Sequence, residues 1–170
     1  MVKGKKELYQ EWELTGKGNY QFLWPVPPNH RPDVYIEVTY DDSGKVVEIQ
    51  EWGEGTKEPL TRKPTIENGR LIRSEYHDST ENRRGTNNYE YNDQGLLSGR
   101  YETDLKGNLR FRIEITCDNK GRFIEEKLLD YRKRLQSRHT YEYGPSHNRV
   151  IKESVFGGKD GQMLEGFFSR

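Results

Sequence analysis

Side chains able to carry chemistry are few in this 170-residue chain and poorly grouped. Four histidines, His30, His77, His139 and His147, are scattered, and neither a Cys-x-x-Cys nor a His-Glu-x-x-His pattern occurs. His139 and His147 would face each other across a turn at 144–149. Two ligands fall short of a four-coordinate zinc site, so no metal ligands are assigned. Cys117 closes an apolar run with nothing basic in its own turn to lower its pKa, and it reads as an inert thiol. Asp41-Asp42, Asp93 and Asp118 sit close before glycines, where Asp and Asn bond their own backbone. They read as turn formers rather than as an acid–base pair. No Walker loop is present, and Gly53-x-Gly55 opens no helix. No catalytic residue and no cofactor follow from this set.

Residues suited to binding are more numerous. Trp12, Trp24 and Trp52 fall in the N-terminal third with Tyr9, Tyr20 and Phe22. They suit either a core plug or an aromatic surface for a partner segment or flat ligand. Tyr91, Tyr101 and Phe111, with Ile113, form a second candidate set. Arg100, Arg110, Arg112, Arg122 and Arg132-Lys133-Arg134 could make a basic stripe for single-stranded nucleic acid beside Tyr89, Tyr91 and Tyr101. Glu102, Glu114, Glu125 and Glu126 lie in the same strands, and cross-strand Arg–Glu pairs account for the stripe better.

Only 31% of residues are hydrophobic against 33% charged, which predicts a thin core; the 12% aromatic content and regular alternation argue against disorder. A net charge of zero implies no bulk attraction to nucleic acid or to an anionic membrane. No apolar run reaches spanning length, and the basic start, Met1 to Lys6, leads into no apolar signal segment. With a single cysteine, the expectation is a cytoplasmic protein without disulfides.

The elements that must position these residues are strands. Leu8, Trp12 and Leu14 share a period-2 face over 7–14, and a second strand is expected at 20–24. Pro25, Pro27, Pro28 and Pro32 predict an extended loop over 25–32. Alternation resumes over 34–40 and 45–52. Residues 53–65 read as irregular, 70–76 as a strand after the hairpin signal Asn68-Gly69, and 77–87 as a mobile loop. Further strands are expected at 88–92, 96–103, 109–117, 123–131, 135–143, 149–156 and 162–168, and nothing sustains a helical period. Structural turns are assigned to Gly44, Gly69, Gly95, Gly107 and Gly121, with others at Gly144 and Gly157 to Gly161.

Turn-bearing stretches start at Tyr40, Ile66, Tyr91, Cys117 and Tyr143, so hairpin units repeat every 25 or 26 residues. Leu109, Phe111, Ile113, Ile115 and Cys117 share one side of their strand, and Arg110, Arg112, Glu114 and Thr116 the other. Such alternation describes an antiparallel sheet with one dry face, which must curl on itself or be covered. The expected fold is an all-β, antiparallel up-and-down meander of about 10–12 strands with almost no helix. It is strongly curved or closed into a barrel. A single domain is expected over 1–170: an N-terminal hairpin and Pro-rich loop (1–33), five hairpin units (34–163) and a short tail (164–170).

Over 34–161 the chain resembles the YD repeats of Rhs-type proteins and Tc-toxin shells, whose unit is similar to Tyr-x-Tyr-Asp-x-x-Gly-x-Leu. Tyr89-Glu-Tyr91-Asn-Asp-Gln-Gly95-Leu-Leu is the nearest copy, Tyr141-Glu-Tyr143 opens another, and Tyr40 to Gly44 matches the turn. This resemblance implies a curved hairpin sheet with a scaffold or binding role. Residues 9–52, through Trp12-x-x-x-Gly16-x-Gly18-x-Tyr20 and Ser43 to Val47, are similar to calycin barrels of the nitrobindin or fatty-acid-binding kind. That likeness implies an interior ligand site.

The first expectation for function is a non-enzymatic protein-binding or scaffold module, such as an accessory subunit or an immunity or antitoxin-like factor. The alternative is a barrel holding a small apolar or aromatic ligand against Phe111, Ile113, Tyr91, Tyr101 and Trp12. An enzyme comes third.

Overall fold

In a computed structural model, residues 4–27, 29–145, 150–157 and 162–164 are described; Pro28, His147, the turn expected over 158–161 and the strand end and tail expected beyond 164 lie outside them. Thirteen strands and no helix occur among the described residues. The chain divides into two compact units, Met1–Asn87 and Asn88–Arg170.

In the N-terminal unit, β1 (Lys5–Leu14), β2 (Tyr20–Pro25), β3 (Tyr35–Tyr40), β4 (Val46–Trp52), β5 (Leu60–Glu67) and β6 (Arg70–Asp78) pair antiparallel in the order β2-β1-β3-β4-β5-β6. The curl is strong. The Leu71 amide of β6 donates to the Gly18 carbonyl of the β1–β2 turn at 2.9 Å. Yet β2 has β1 as its single strand neighbour, so the expected option of a closed barrel is not realised. Inside the curl, Ile36, Val38, Val46 and Ile49 form the core, with Tyr9, Trp12, Tyr20, Phe22, Tyr40 and Ile66 packed against it. Burying a Val or Ile fully stabilises by about 1.5–3 kcal/mol, and Val38 and Ile49 are buried completely.

Two segments differ from expectation. Residues 53–65 are not irregular throughout, because β5 begins at Leu60 and runs through Pro64 to the Asn68-Gly69 turn. Both turn residues take positive φ, 50° and 76°, and Glu67 pairs Arg70, so the turn is a two-residue hairpin of the mirror-image kind. Such a turn demands a strand on both sides; a proline and two cations hid the first of them. Residues 77–87 are likewise mostly strand, since β6 continues to Asp78 and β7 (Arg83–Tyr91) starts four residues after Ser79. β7 carries the division between the units.

The C-terminal unit is a plain meander. After the end of β7 come β8 (Leu97–Thr103), β9 (Leu109–Cys117), β10 (Phe123–Asp130), β11 (Leu135–Tyr143), β12 (Val150–Gly157) and β13 (Gln162–Leu164), each of β8 to β13 pairing antiparallel with its chain neighbour.

One local device builds five of the hairpins. Asp41, Asn92, Asp104, Asp118 and Asp130 each use the side-chain Oδ1 to accept from the backbone N–H groups two and four residues on. The residue three on donates its N–H to the carbonyl of the Asp or Asn and takes positive φ. Gly44, Gly95, Gly107 and Gly121 fill that place in four turns, but in the fifth it is Lys133, at φ 60°. A side chain with a Cβ is strained there by about 1 kcal/mol.

Two outcomes follow from this turn. Lys133→Gly raises stability by about 1 kcal/mol in urea unfolding, and Gly107→Lys lowers it by a similar amount. The second concerns acid. The Ser43 hydroxyl holds the Asp41 carboxyl below its usual range, the Asn108 amide does so for Asp104, and the Arg134 backbone N–H for Asp130. Folded values below the ordinary 3.8 mean that this stabilisation is complete above it and lost as pH falls through the depressed values. The melting temperature therefore holds down to about pH 5 and drops below about pH 4, and combined Asp104→Asn and Asp130→Asn substitutions flatten the drop, as Asn92 already serves in the same place.

Candidate binding surface

The three tryptophans take three different roles within the N-terminal unit. Trp12 belongs to the core periphery: it meets Tyr20 edge-on at 5.4 Å, while Tyr20 and Tyr9 stack on Phe22 at 5.7 and 5.2 Å. Its indole N–H donates to Glu51 Oε1 at 2.7 Å, and the same oxygen accepts from Arg62 Nε at 2.8 Å. The Arg62 guanidinium lies 5.5 Å from the Trp12 ring, so charge and indole are satisfied together. Trp52 stacks on Tyr35 at 5.9 Å, and Arg31 caps Tyr35 at 4.3 Å. Trp24 is 60% exposed at a φ of 53°, a strained backbone for so large a side chain. They are not assembled into one aromatic surface.

A hollow of about 630 Å³ in the same unit is lined by Lys5, Glu7, Tyr40, Asp41 and Asp42, and sequence reasoning had no signal for it. Tyr9 donates its hydroxyl to Glu7, and burial, then its hydrogen bond with Tyr9, pushes the Tyr40 hydroxyl pKa up. The Lys5 ammonium holds the Glu7 carboxyl low, and Asp41 is engaged by its own turn, so Lys5, Glu7, Tyr40 and Asp41 are already answered by neighbours.

The C-terminal unit carries the second set. Leu128 faces Ile113 directly across β9 and β10, Arg100 faces Ile113 from β8, and Glu102 faces Phe111. Phe111, Ile113 and Leu128 are only half-buried, so the dry face is not fully covered as the alternation alone would require. Arg100 lies 5.9 Å over the Phe111 ring, its charge at the edge of the apolar patch. An open depression of about 420 Å³ is bounded by Arg100, Arg110, Phe111, Ile113, Leu128 and Asp130. Tyr101 faces Arg112 across the β8–β9 ladder, and Tyr91 closes β7; both are half-buried and neither bounds the depression.

Charge in this unit is largely paired. Glu102, 5% exposed, accepts from Arg110 at 3.1 Å, which answers the cost of burying a carboxylate. Arg112 pairs with Glu90, Arg138 with Glu125, Arg122 with Asp118 and Arg134 with Asp130. Arg110–Glu102 is a cross-strand pair of the expected kind, whereas Arg122 and Arg134 pair within their own turns and Arg112 reaches Glu90 instead.

The Cys117 thiol is pushed up to about 11, first by burial and then by the charges of Asp118 and Glu126, and its sulfur points to the Leu97 carbonyl at 3.5 Å. His30, His77 and His139 lie on separate elements, and among the described residues no three His, Cys, Asp or Glu side chains are grouped to hold a metal ion. No family model matches the chain, and no curated protein matches it.

The thiol offers a direct measurement. At pH 8 Cys117 alkylates about 100-fold more slowly than a thiol of pKa 9, and its rate keeps rising towards pH 11. A rate half-maximal near pH 8.5 to 9 and level above about pH 10 would show an ordinary, accessible cysteine.

Proposed function

We propose that this chain is a non-enzymatic binding module, an accessory subunit or immunity-type factor, whose C-terminal unit recognises another protein through the β8–β10 face. The observation that carries this reading is the apolar row Phe111, Ile113 and Leu128, left only partly buried on an open sheet whose neighbouring charges are mostly paired. Paired charges add little attraction of their own, whereas an accessible apolar patch gains from being covered by a partner. The hairpin repeat, with its self-contained turns, supports the scaffold part of the reading. A carrier for a small ligand has less support. It needs an enclosed interior, and the sheet of the N-terminal unit ends in an edge at β2.

The test is purification of tagged chain from its native host, with Phe111→Ser alongside. A protein retained in fixed stoichiometry by the parent chain, and lost by at least tenfold from a variant with an unchanged melting curve, supports the proposal. Recovery of the parent chain alone, or equal recovery of partner by both, removes it.

A further inference from the structure

Two turns of the C-terminal unit lie at the same end of its sheet. Thr103 pairs Leu109 where β8 turns into β9, and β10 ends at Asp130 opposite Phe111, so turns 104–107 and 130–133 are two strand spacings apart, about 10 Å. Leu105 is 74% exposed, Tyr131 56% and Leu135 49%, so three of the seven exposed large hydrophobics among the described residues belong to this one rim.

Its charges are sorted by partner. Asp104 and Asp130 spend their oxygens on their own turns, Asp104 also on the Asn108 amide and Asp130 on Arg134. Lys106, Arg132 and Lys133 are exposed and have no ion pair among the described residues; Arg132 stacks over Tyr131 at 5.1 Å. The rim thus presents apolar tips with cations beside them, while its carboxylates are engaged inside the turns.

We propose that this rim docks the protein on an anionic membrane surface, with Leu105, Tyr131 and Leu135 entering the headgroup layer and Lys106, Arg132 and Lys133 contacting lipid phosphates. An apolar tip flanked by cations is the pattern that interfacial binding rewards, and tyrosine suits the headgroup level. Single-stranded nucleic acid would use Tyr131 and the cations but gain nothing from two leucines. The overall charge of zero removes bulk attraction, so binding is local, weak and sensitive to salt.

Co-sedimentation of the full chain with phosphatidylcholine vesicles, with and without phosphatidylglycerol, tests this at low and high salt. The chain is expected to sediment with the anionic vesicles alone, and high salt releases it. Combined Arg132→Gln and Lys133→Gln lowers partitioning by about 25-fold, at roughly fivefold per cation. Combined Leu105→Ser and Tyr131→Ser, at exposed positions that leave the melting curve in place, lowers it by about tenfold or more. Equal sedimentation of the apolar variant and the parent chain overturns the proposal. So does binding of a labelled oligothymidylate through the same cations with no binding to vesicles, which would make the rim a nucleic-acid surface. Binding to neither probe also ends it.

Discussion

The hydrogen bonds from one Asp or Asn side chain back to its own turn are what the rest of this structure depends on. With so few apolar residues, distant contacts cannot by themselves fix where each strand reverses. The carboxylate of Asp104, accepting from the N–H groups of Lys106 and Asn108, does so locally, before any packing is formed. The turns opened by Asp41, Asp104, Asp118 and Asp130 also adjoin a bulge in the ladder they close, as between Glu102 and Thr103, which bears on which side chains of the next strand face the apolar side. The alternation of Phe111, Ile113 and Ile115 with Arg110, Arg112 and Glu114 has meaning only because that register is set.

The two units spend their aromatic residues differently. In the N-terminal unit, curvature brings β1 and β5 close enough for Arg62 to reach Trp12, although β3 and β4 lie between them in the sheet. Aromatic rings therefore fill a curled interior, and Glu51 ties the indole and the guanidinium to one oxygen. In the C-terminal unit the rings are spread along a meander. Arg122 stacks over Tyr143 at 4.5 Å while Tyr143 donates to the Phe123 carbonyl at 2.7 Å. Side chains there seal the sheet piecemeal, by long Arg stems laid on rings, and leave partly buried apolar ground between them.

Much of this was legible in the residues themselves. The antiparallel meander, the strands from β8 to β11 and the turns at Gly44, Gly69, Gly95, Gly107 and Gly121 follow from period-2 alternation and from glycine placed after Asp or Asn. β5 was hidden because Thr61, Arg62, Lys63 and Pro64 offer no apolar alternation; its place is set by pairing with β4 and β6, a long-range fact. The fates of Trp12, Trp24 and Trp52 were open for the same reason. Whether an indole finds a carboxylate, a stacked ring or solvent depends on how far the sheet curls, and no local spacing records that. Nor does composition reveal that the carboxylates of the β8–β9 and β10–β11 turns are engaged by their own backbone while Lys106, Arg132 and Lys133 stay exposed.

An open sheet leaves edge strands, and in the N-terminal unit β2 is one. Its outer backbone groups are the natural template on which another extended chain would add, the route by which β proteins form fibrils. Four residues, Tyr20 to Leu23, offer that template before Trp24 swings to positive φ and Pro25 removes a donor, with Pro27 following. The strain at Trp24 thus has a use apart from recognition: it stops the edge from being copied, so that a protein built from repeated hairpins does not keep growing by borrowing strands from its neighbours.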